Sequence, residues 1–315
     1  MTSLRARLRA WARPRRLAGA AVASVAFALG GIVAVTAPPP AGAASRHATH
    51  HATHSGTVVT FTAGSLETIM KTAIEQDFHA ATGYTVTDIS GGSTGLAQDI
   101  KTGVHQGDVF WSASATSDKA LEGSANGNWV TWYVTFADTK LVLGYEPSSK
   151  FAATLTSKKW WQVVTQPGFL LGRTNPVTDP KGRLSVDALK KAASKYDDAT
   201  VGAIATKATT VFTETSLVGR LQSGQLDAGL FYAVEASAAG FPTVPLTGVS
   251  ESAAYTLTIL SKAPHPAAAD AFVKYLLSKP AKRALAKEGL RELGKPVLAG
   301  RKSAVPKSLR KDLKR

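Results

Sequence analysis

From residue 57 onward, short β-branched runs alternate with amphipathic helical patterns, and this alternation limits the fold more than any other feature of the chain. In TVVTFTAGSLETIMKTAIEQDFHAATG, Val58, Val59 and Phe61 read as a buried strand. Leu66, Ile69, Met70, Ala73, Ile74 and Phe78 then recur at helical spacing until Gly83 stops the pattern. Ser65 stands where an N-cap is needed, and Glu67 where the helix dipole favours an acid. The order repeats: YTVTDI is a strand, GSTGLAQDIKTG a loop and short helix, and DVFWSASA a strand ending in small polar residues. Strands alternating with helices predict an open, mostly parallel α/β sheet whose ligands collect beyond the carboxyl ends of its strands. Ser65, Ser90, Ser93 and Ser112 are all predicted to lie on that rim.

A second block of the same kind follows WYVTFADTKLVLGYEP. Lys140 to Tyr145 reads as a strand, FLLGRTNPVTDPKG as a strand entering a Pro/Gly-rich loop, and LSVDALKKAASKY as a helix. TSLVGRLQSGQLDAGLFYAVEAS reads as helix, turn, strand and the start of another helix; AYTLTIL is a further strand and AAADAFVKYLLS an amphipathic helix. The chain makes one α/β unit, builds another and returns, which predicts two lobes with a cleft between them.

Residues 1–44 carry the three parts of an export signal: six arginines between Arg5 and Arg16, an uncharged apolar run from Leu17 to Ala37, and the small residues Ala41-Gly42-Ala43-Ala44. The apolar run also has the ~20 residues a bilayer span needs, so a retained signal anchor stands beside cleavage after Ala43 or Ala44. Arg15-Arg16 fits a twin-arginine signal. With no cysteine, the chain has no disulfide, thiolate metal site or lipid anchor through a signal-peptide cysteine. Residues 45–56 form a linker holding His47, His50, His51 and His54, with nothing apolar nearby to fix a metal geometry.

The net charge of +15 sits at the two ends. Residues 47–278 carry 17 basic and 19 acidic side chains, whereas 279–315 carry 13 basic and 3 acidic. A nearly neutral body argues against nucleic acid. The basic tail, 301–315, is suited to anionic lipid or wall polymers in the envelope, or is a solvated, frayed terminus.

SGGSTGLAQDI, residues 90–100, is the stretch most suggestive of chemistry, because hydroxyls and amides converge there at a helix start where an anion is favoured. It lacks the lysine of a phosphate-cradling P-loop and the spacing of a dinucleotide loop. Gly91-Gly92-Ser93-Thr94-Gly95 matches a serine-hydrolase elbow literally, yet none of His79, His105 and His265 is evidently placed as its base. Trp129, Trp132, Trp160 and Trp161 could line a cleft, but core packing is the better expectation for tryptophan.

FTAGSLETIM, SGGSTGLAQDIKTGVHQGDVFWSASA, TKLVLGY, GRTNPVTDPKG, SLVGRLQSGQLDAGLFYAVEA and YTLTILSKAPHPAAADAFVKYLLSKPAKRAL, in that order, resemble the substrate-binding proteins of ABC importers, and within them the molybdate/tungstate binders of the tungstate type. The resemblance spans about residues 57–290. It implies a type II periplasmic-binding-protein fold, with one lobe made of 57–140 and 251–300 and the other of 141–250. It further implies a monomer with no cofactor and no enzymatic step, which would capture a tetrahedral oxyanion outside the cytoplasm for a membrane permease and its ATPase. Carried over residue by residue, the ligand would be held by Ser65, Ser93 and Ser112 from the first lobe and by Asp179, Tyr232 and Glu235 from the second. A carboxylate repels an oxyanion unless it ligates the metal atom itself. Asp179 and Glu235 therefore have two readings each: metal-atom ligands, or a turn residue before Pro180 and a cap or surface acid. Lys181, and the extra tryptophan in FWSASATSDKAL, depart from the family pattern. Phosphate or sulfate remains an alternative ligand, and an exported hydrolase using Ser93 or a surface adhesion module an alternative function.

Overall fold

Strand β1 (Thr57–Ala63) buries both faces, as a central parallel strand must. It is flanked in parallel by β2 (Thr85–Gly91) and β3 (Val109–Ser112), with Ala63 beside Gly91 and Thr62 beside Trp111. The computed structural model describes residues 55–207 and 210–314. The export signal and the linker histidines lie outside these. Among the described residues no helix is long and apolar enough to cross a membrane.

Strand β4 (Trp132–Tyr145) is far longer than the Lys140 to Tyr145 expected, because its polar residues alternate with apolar ones and mask its first half. The remaining strands are β5 (Leu171–Thr174), β6 (Val211–Phe212), β7 (Ala228–Tyr232), β8 (Thr243–Pro245), β9 (Ser252–Ile259) and β10 (Arg291–Gly300). They join in one open sheet of order β2-β1-β3-β9-β4-β7-β5-β6, with β8 and β10 also paired to β4. Parallel pairs occupy both wings; among the described residues every antiparallel pair involves β4 or β9. The first part of β4 pairs with β9 and β10 and its last part with β7 and β8, so a single strand runs through both halves of the molecule.

Between β1 and β2, Leu66, Ile69, Met70, Ile74 and Phe78 are fully buried along a continuous helical stretch that includes a π turn at Met70–Ile74 and ends at Gly83 with φ 83°. The tryptophans Trp132, Trp160 and Trp161 are buried, and Trp161 stacks on Tyr196 with centroids 3.6 Å apart, as packing and not cleft lining would have it. His265 receives an equally structural role. Its backbone N–H and that of Val59 donate to buried Asp108 at 2.6 and 2.8 Å, and its ring sits 3.0 Å from the same carboxylate. This pins the start of helix Pro266–Leu276 to the entry of β3.

The basic segment after residue 300 is not frayed. It forms short 3₁₀ turns that seat Val305, Leu309 and Leu313 in the core, and Ser308 Oγ donates to Asp270 at 2.5 Å. Among the described residues the buried core falls within 58–313, all of it contained in a chain starting at residue 45.

Asp118, fully buried, accepts a 2.5 Å hydrogen bond from Thr256 of β9 through Oδ2, while Oδ1 has no partner among the described residues. Burial raises its pKa to about 8 against an ordinary 3.8, outweighing the Thr256 bond that opposes the rise. The folded state thus keeps a proton that the unfolded state loses. Asp118 favours folding below about pH 4 and progressively loses that contribution as pH rises towards 8, by about 1.4 kcal/mol per unit. Asp118→Asn is expected to flatten the decline of unfolding free energy between pH 4 and 8, read from urea denaturation at several pH values.

Candidate functional site

The carboxyl ends of β1, β2 and β3 place three serines together. Ser65 lies in the turn after β1, Ser93 begins helix Ser93–Thr102 after β2, and Ser112 ends β3; all three are buried. Ser65 does not cap the helix as expected. The cap position falls on Ala63, and Ser65 Oγ instead lies 2.8 Å from the Tyr255 hydroxyl of β9. Ser93 Oγ accepts the N–H of Ala113 at 3.0 Å and keeps its own O–H as a donor. Ser112 closes a local turn, donating to Ser114 O at 2.9 Å and accepting from Ser114 N–H at 3.0 Å. As for a hydrolase base, the His79 ring bonds Tyr84 O and the His265 ring bonds Asp108.

The carboxyl ends of β5, β6 and β7 supply the opposite side. Helix Pro180–Tyr196 begins four residues before the LSVDALKKAASKY pattern, because Pro180 suits the first helical position and Asp179 caps it, Oδ1 accepting Lys181 N–H at 2.8 Å. Gly182 is required there: a Cβ would lie 2.5 Å from the Asn175 carbonyl carbon. Glu214 opens helix Glu214–Gln222 after β6. Tyr232 ends β7 and precedes helix Ala233–Ala238, with Glu235 in its first turn.

Lys181 holds this side together. Its ammonium has no solvent exposure and donates to both oxygens of Glu235, at 2.7 and 2.6 Å, with Glu214 Oε1 at 3.0 Å. Burial alone would lower its pKa, but Glu214, Glu235 and Asp179 outweigh burial and keep it charged, above its ordinary value. Glu214 moves the other way. Burial first, then Asp179, raises it well above the usual carboxylate range against the pull of Lys181. Glu235 is also raised by burial, with Lys181 opposing. Burial raises the Tyr232 and Tyr255 phenols as well, leaving both as neutral donors at neutral pH.

Three buried oxygens in this cluster have no hydrogen-bond partner among the described residues: Asp179 Oδ2, Glu214 Oε2 and Tyr232 OH. Of the six residues expected at a site, Ser65, Asp179, Tyr232 and Glu235 belong to one constellation, linked through Tyr255, whose ring meets Tyr232 edge-on at 6.2 Å between centroids. Ser93 joins beside Gly92, which faces Asp179. Ser112 is adjacent, but its hydroxyl is committed to Ser114. Asp179 is thus both cap and cleft residue. Glu235 is no surface acid, and its two oxygens engage Lys181. Sequence reasoning missed Glu214 and Tyr255, which look like a capping acid and a core strand residue, and noted Lys181 only as an irregularity.

A cavity of about 450 Å³ opens where the two halves meet, lined by Ser90, Gly92, Thr174, Asn175, Asp179 and Thr213 among others. The halves touch around it: Gly95 N–H donates to Thr178 O at 3.0 Å and Thr215 Oγ1 to Glu67 Oε2 at 3.3 Å. Two glycines permit that approach. A Cβ at Gly64 would lie 2.0 Å from Glu214 Oε2, and one at Gly92 would lie 2.4 Å from Thr178 O. No group of three or more His, Asp or Glu among the described residues is disposed to hold a metal ion.

A family model described as bacterial extracellular solute-binding protein matches residues 58–291. A putative ABC transporter molybdenum-binding protein of Haloferax volcanii is 29% identical over 220 residues, covering 70% of this chain and 67% of that protein. A molybdate/tungstate-binding protein of Pyrococcus abyssi is 23% identical over 225 residues, covering 55% and 65%. Among solved structures, the periplasmic molybdate-binding protein of Azotobacter vinelandii superposes with a TM-score of 0.61 at 19% identity, covering 74% of this chain and 98% of that one. The sulfate-binding protein of Mycobacterium tuberculosis gives 0.58 at 14% identity, covering 76% and 88%. These likenesses carry the fold.

Lys181→Met leaves two buried carboxylates facing each other without their cation. Urea unfolding is expected to show a loss of about 3–5 kcal/mol, most of it recovered when Glu214→Gln and Glu235→Gln are added. Equal stability of the single variant and the unmodified chain would show that the ion cluster does not hold this half together.

Proposed function

The chain belongs to the bacterial extracellular solute-binding protein family, and from that premise we propose that it captures a tetrahedral oxyanion, molybdate or tungstate, and delivers it to the permease of an ABC importer. The protein is a solute-binding component that works outside the cytoplasm. The observation that carries the oxyanion reading is the set of buried oxygens without a partner among the described residues, Asp179 Oδ2, Glu214 Oε2 and Tyr232 OH, of which Asp179 belongs to a residue lining the hydroxyl-rich cavity between the halves. Tyr232 offers an O–H donor to oxyanion oxygens, and Ser93 offers another. Asp179 Oδ2 is a hard oxygen suited to the metal atom itself. Glu235 acts through Lys181, whose charge offsets part of the acid cluster. The names of the Haloferax and Pyrococcus relatives support the same ligand.

The two halves would serve as lobes that close on the ligand by bending at β4 and β9, with Gly64 and Gly92 as the points of closest approach. Helix Ser93–Thr102 directs its first amides towards the cleft, where an anion is favoured.

Calorimetric titration of the 45–315 chain with tungstate, molybdate, sulfate and phosphate tests the reading. One-to-one binding of tungstate or molybdate, weakened at least about tenfold by Asp179→Asn, is expected. Gly92→Ala is expected to weaken it too, because its methyl group would meet Thr178 O on closure. Binding of sulfate or phosphate alone would transfer the site to those anions. Silence with all four would discard the oxyanion.

A further inference from the structure

Away from the cleft, β10 leaves its ladder with β4 between Glu292 and Val297, so residues 293–296 bulge out and Val297 stands 58% exposed. The turns after residue 300 fold back beside this bulge. Together they form a groove of about 790 Å³, with Pro296, Val297 and Leu298 along its accessible apolar surface, Val305 and Leu313 buried beneath it, and Lys295, Lys302 and Arg310 as its charged residues. No acid lines it. Among the described residues, none of those three cations is in an ion pair. Arg310 is held in place by bonds from Nε to Val305 O and from Nη2 to Ser303 O, both 3.1 Å, which leaves Nη1 for a ligand.

We propose that this groove docks an anionic phospholipid of the membrane, its phosphate among Lys295, Lys302 and Arg310 and its acyl carbons against Pro296, Val297 and Leu298. Charge complementarity selects the occupant. Residues 279–315 hold 13 basic and 3 acidic side chains, while 47–278 are nearly balanced, so the cationic face is local and not a property of the whole surface. An apolar strip with cations and no acid suits an amphiphile bearing a negative headgroup, and a groove of this size is of the order that encloses a small ligand. A solute-binding protein that must meet a permease in the membrane gains from an affinity for that membrane's surface. The groove shares no lining residue with the cleft cavity, so it stands or falls independently of the cleft ligand.

The test is co-sedimentation of the 45–315 chain with phosphatidylglycerol/phosphatidylcholine vesicles and with phosphatidylcholine vesicles alone. Binding to the anionic vesicles only, falling as salt is raised, is expected. Lys302→Glu and Val297→Asp each change an exposed side chain, and each is expected to lower partitioning at least about tenfold while thermal unfolding stays unchanged. Equal binding to both vesicle types, no binding to either, or full binding by both variants would overturn the proposal. So would displacement by inorganic phosphate beyond that caused by chloride at the same ionic strength, which would mark a site for free phosphate.

Discussion

An ammonium ion sealed from water survives in a fold only when carboxylates stand within hydrogen-bond reach, and Lys181 has two, with a third nearby. The demand is geometric as well as electrostatic. Lys181 is in the first turn of the helix after β5, Glu214 in the first turn after β6, and Glu235 in the first turn after β7. A single buried cation therefore ties three helix starts to one point at the carboxyl edge of the sheet. Phe231 and Tyr232 close over it, with their ring centroids 5.5 and 5.9 Å from the Lys181 nitrogen. Because Glu214 uses one oxygen on Lys181 and turns the other towards Gly64, the same cluster shapes the surface that meets the opposite half.

That meeting depends on two absent side chains. Gly64 follows β1 and Gly92 follows β2, and each lies under a group from the other half, Glu214 and Thr178 respectively. Strand β4 links the halves by sharing its ladder between them, while β9 presents Tyr255 to Ser65 on one side and to the Tyr232 ring on the other. The site is thus a junction of strand ends, in which hydroxyls come from both halves and from β9 while the ionic groups come from the second half.

How far this could be read in advance follows from the local physics. The rim of Ser65, Ser93 and Ser112 was legible because β1 to β3 are short, rich in β-branched or aromatic residues and separated by helices with clear periodicity, so their carboxyl ends had to align. Lys181 was not, since DPKG has the composition of a loop; only the preference of proline for a first helical turn hints that it opens a helix. The first half of β4 was hidden by Thr135, Asp138 and Thr139, of which Asp138 pairs with Arg291 of β10. Gly294 and Pro296 hid β10 itself. In the basic tail, the density of lysine and arginine concealed Val305, Leu309 and Leu313, whose spacing of four residues was the one sign that this segment packs.

The remaining difficulty for an oxyanion is electrostatic, and the cluster itself answers it. Three ionised carboxylates and one ammonium would leave two negative charges facing a dianion, a repulsion magnified by burial. Burial and Asp179 together, however, push Glu214 well above the ordinary carboxylate range against the pull of Lys181, a shift that disfavours one of those charges. Lys181 cancels Glu235. What is left is Asp179, whose Oδ1 is engaged by the N–H of Lys181 and whose Oδ2 alone faces the site. Under the oxyanion reading, that single carboxylate oxygen is the one group whose natural partner is the metal centre and not its oxygens. A ligand lacking an expandable coordination sphere, such as sulfate, would meet the same oxygen as repulsion. Under that reading, discrimination between tetrahedral anions of similar charge would arise at the Asp179 oxygen that no hydrogen bond among the described residues engages.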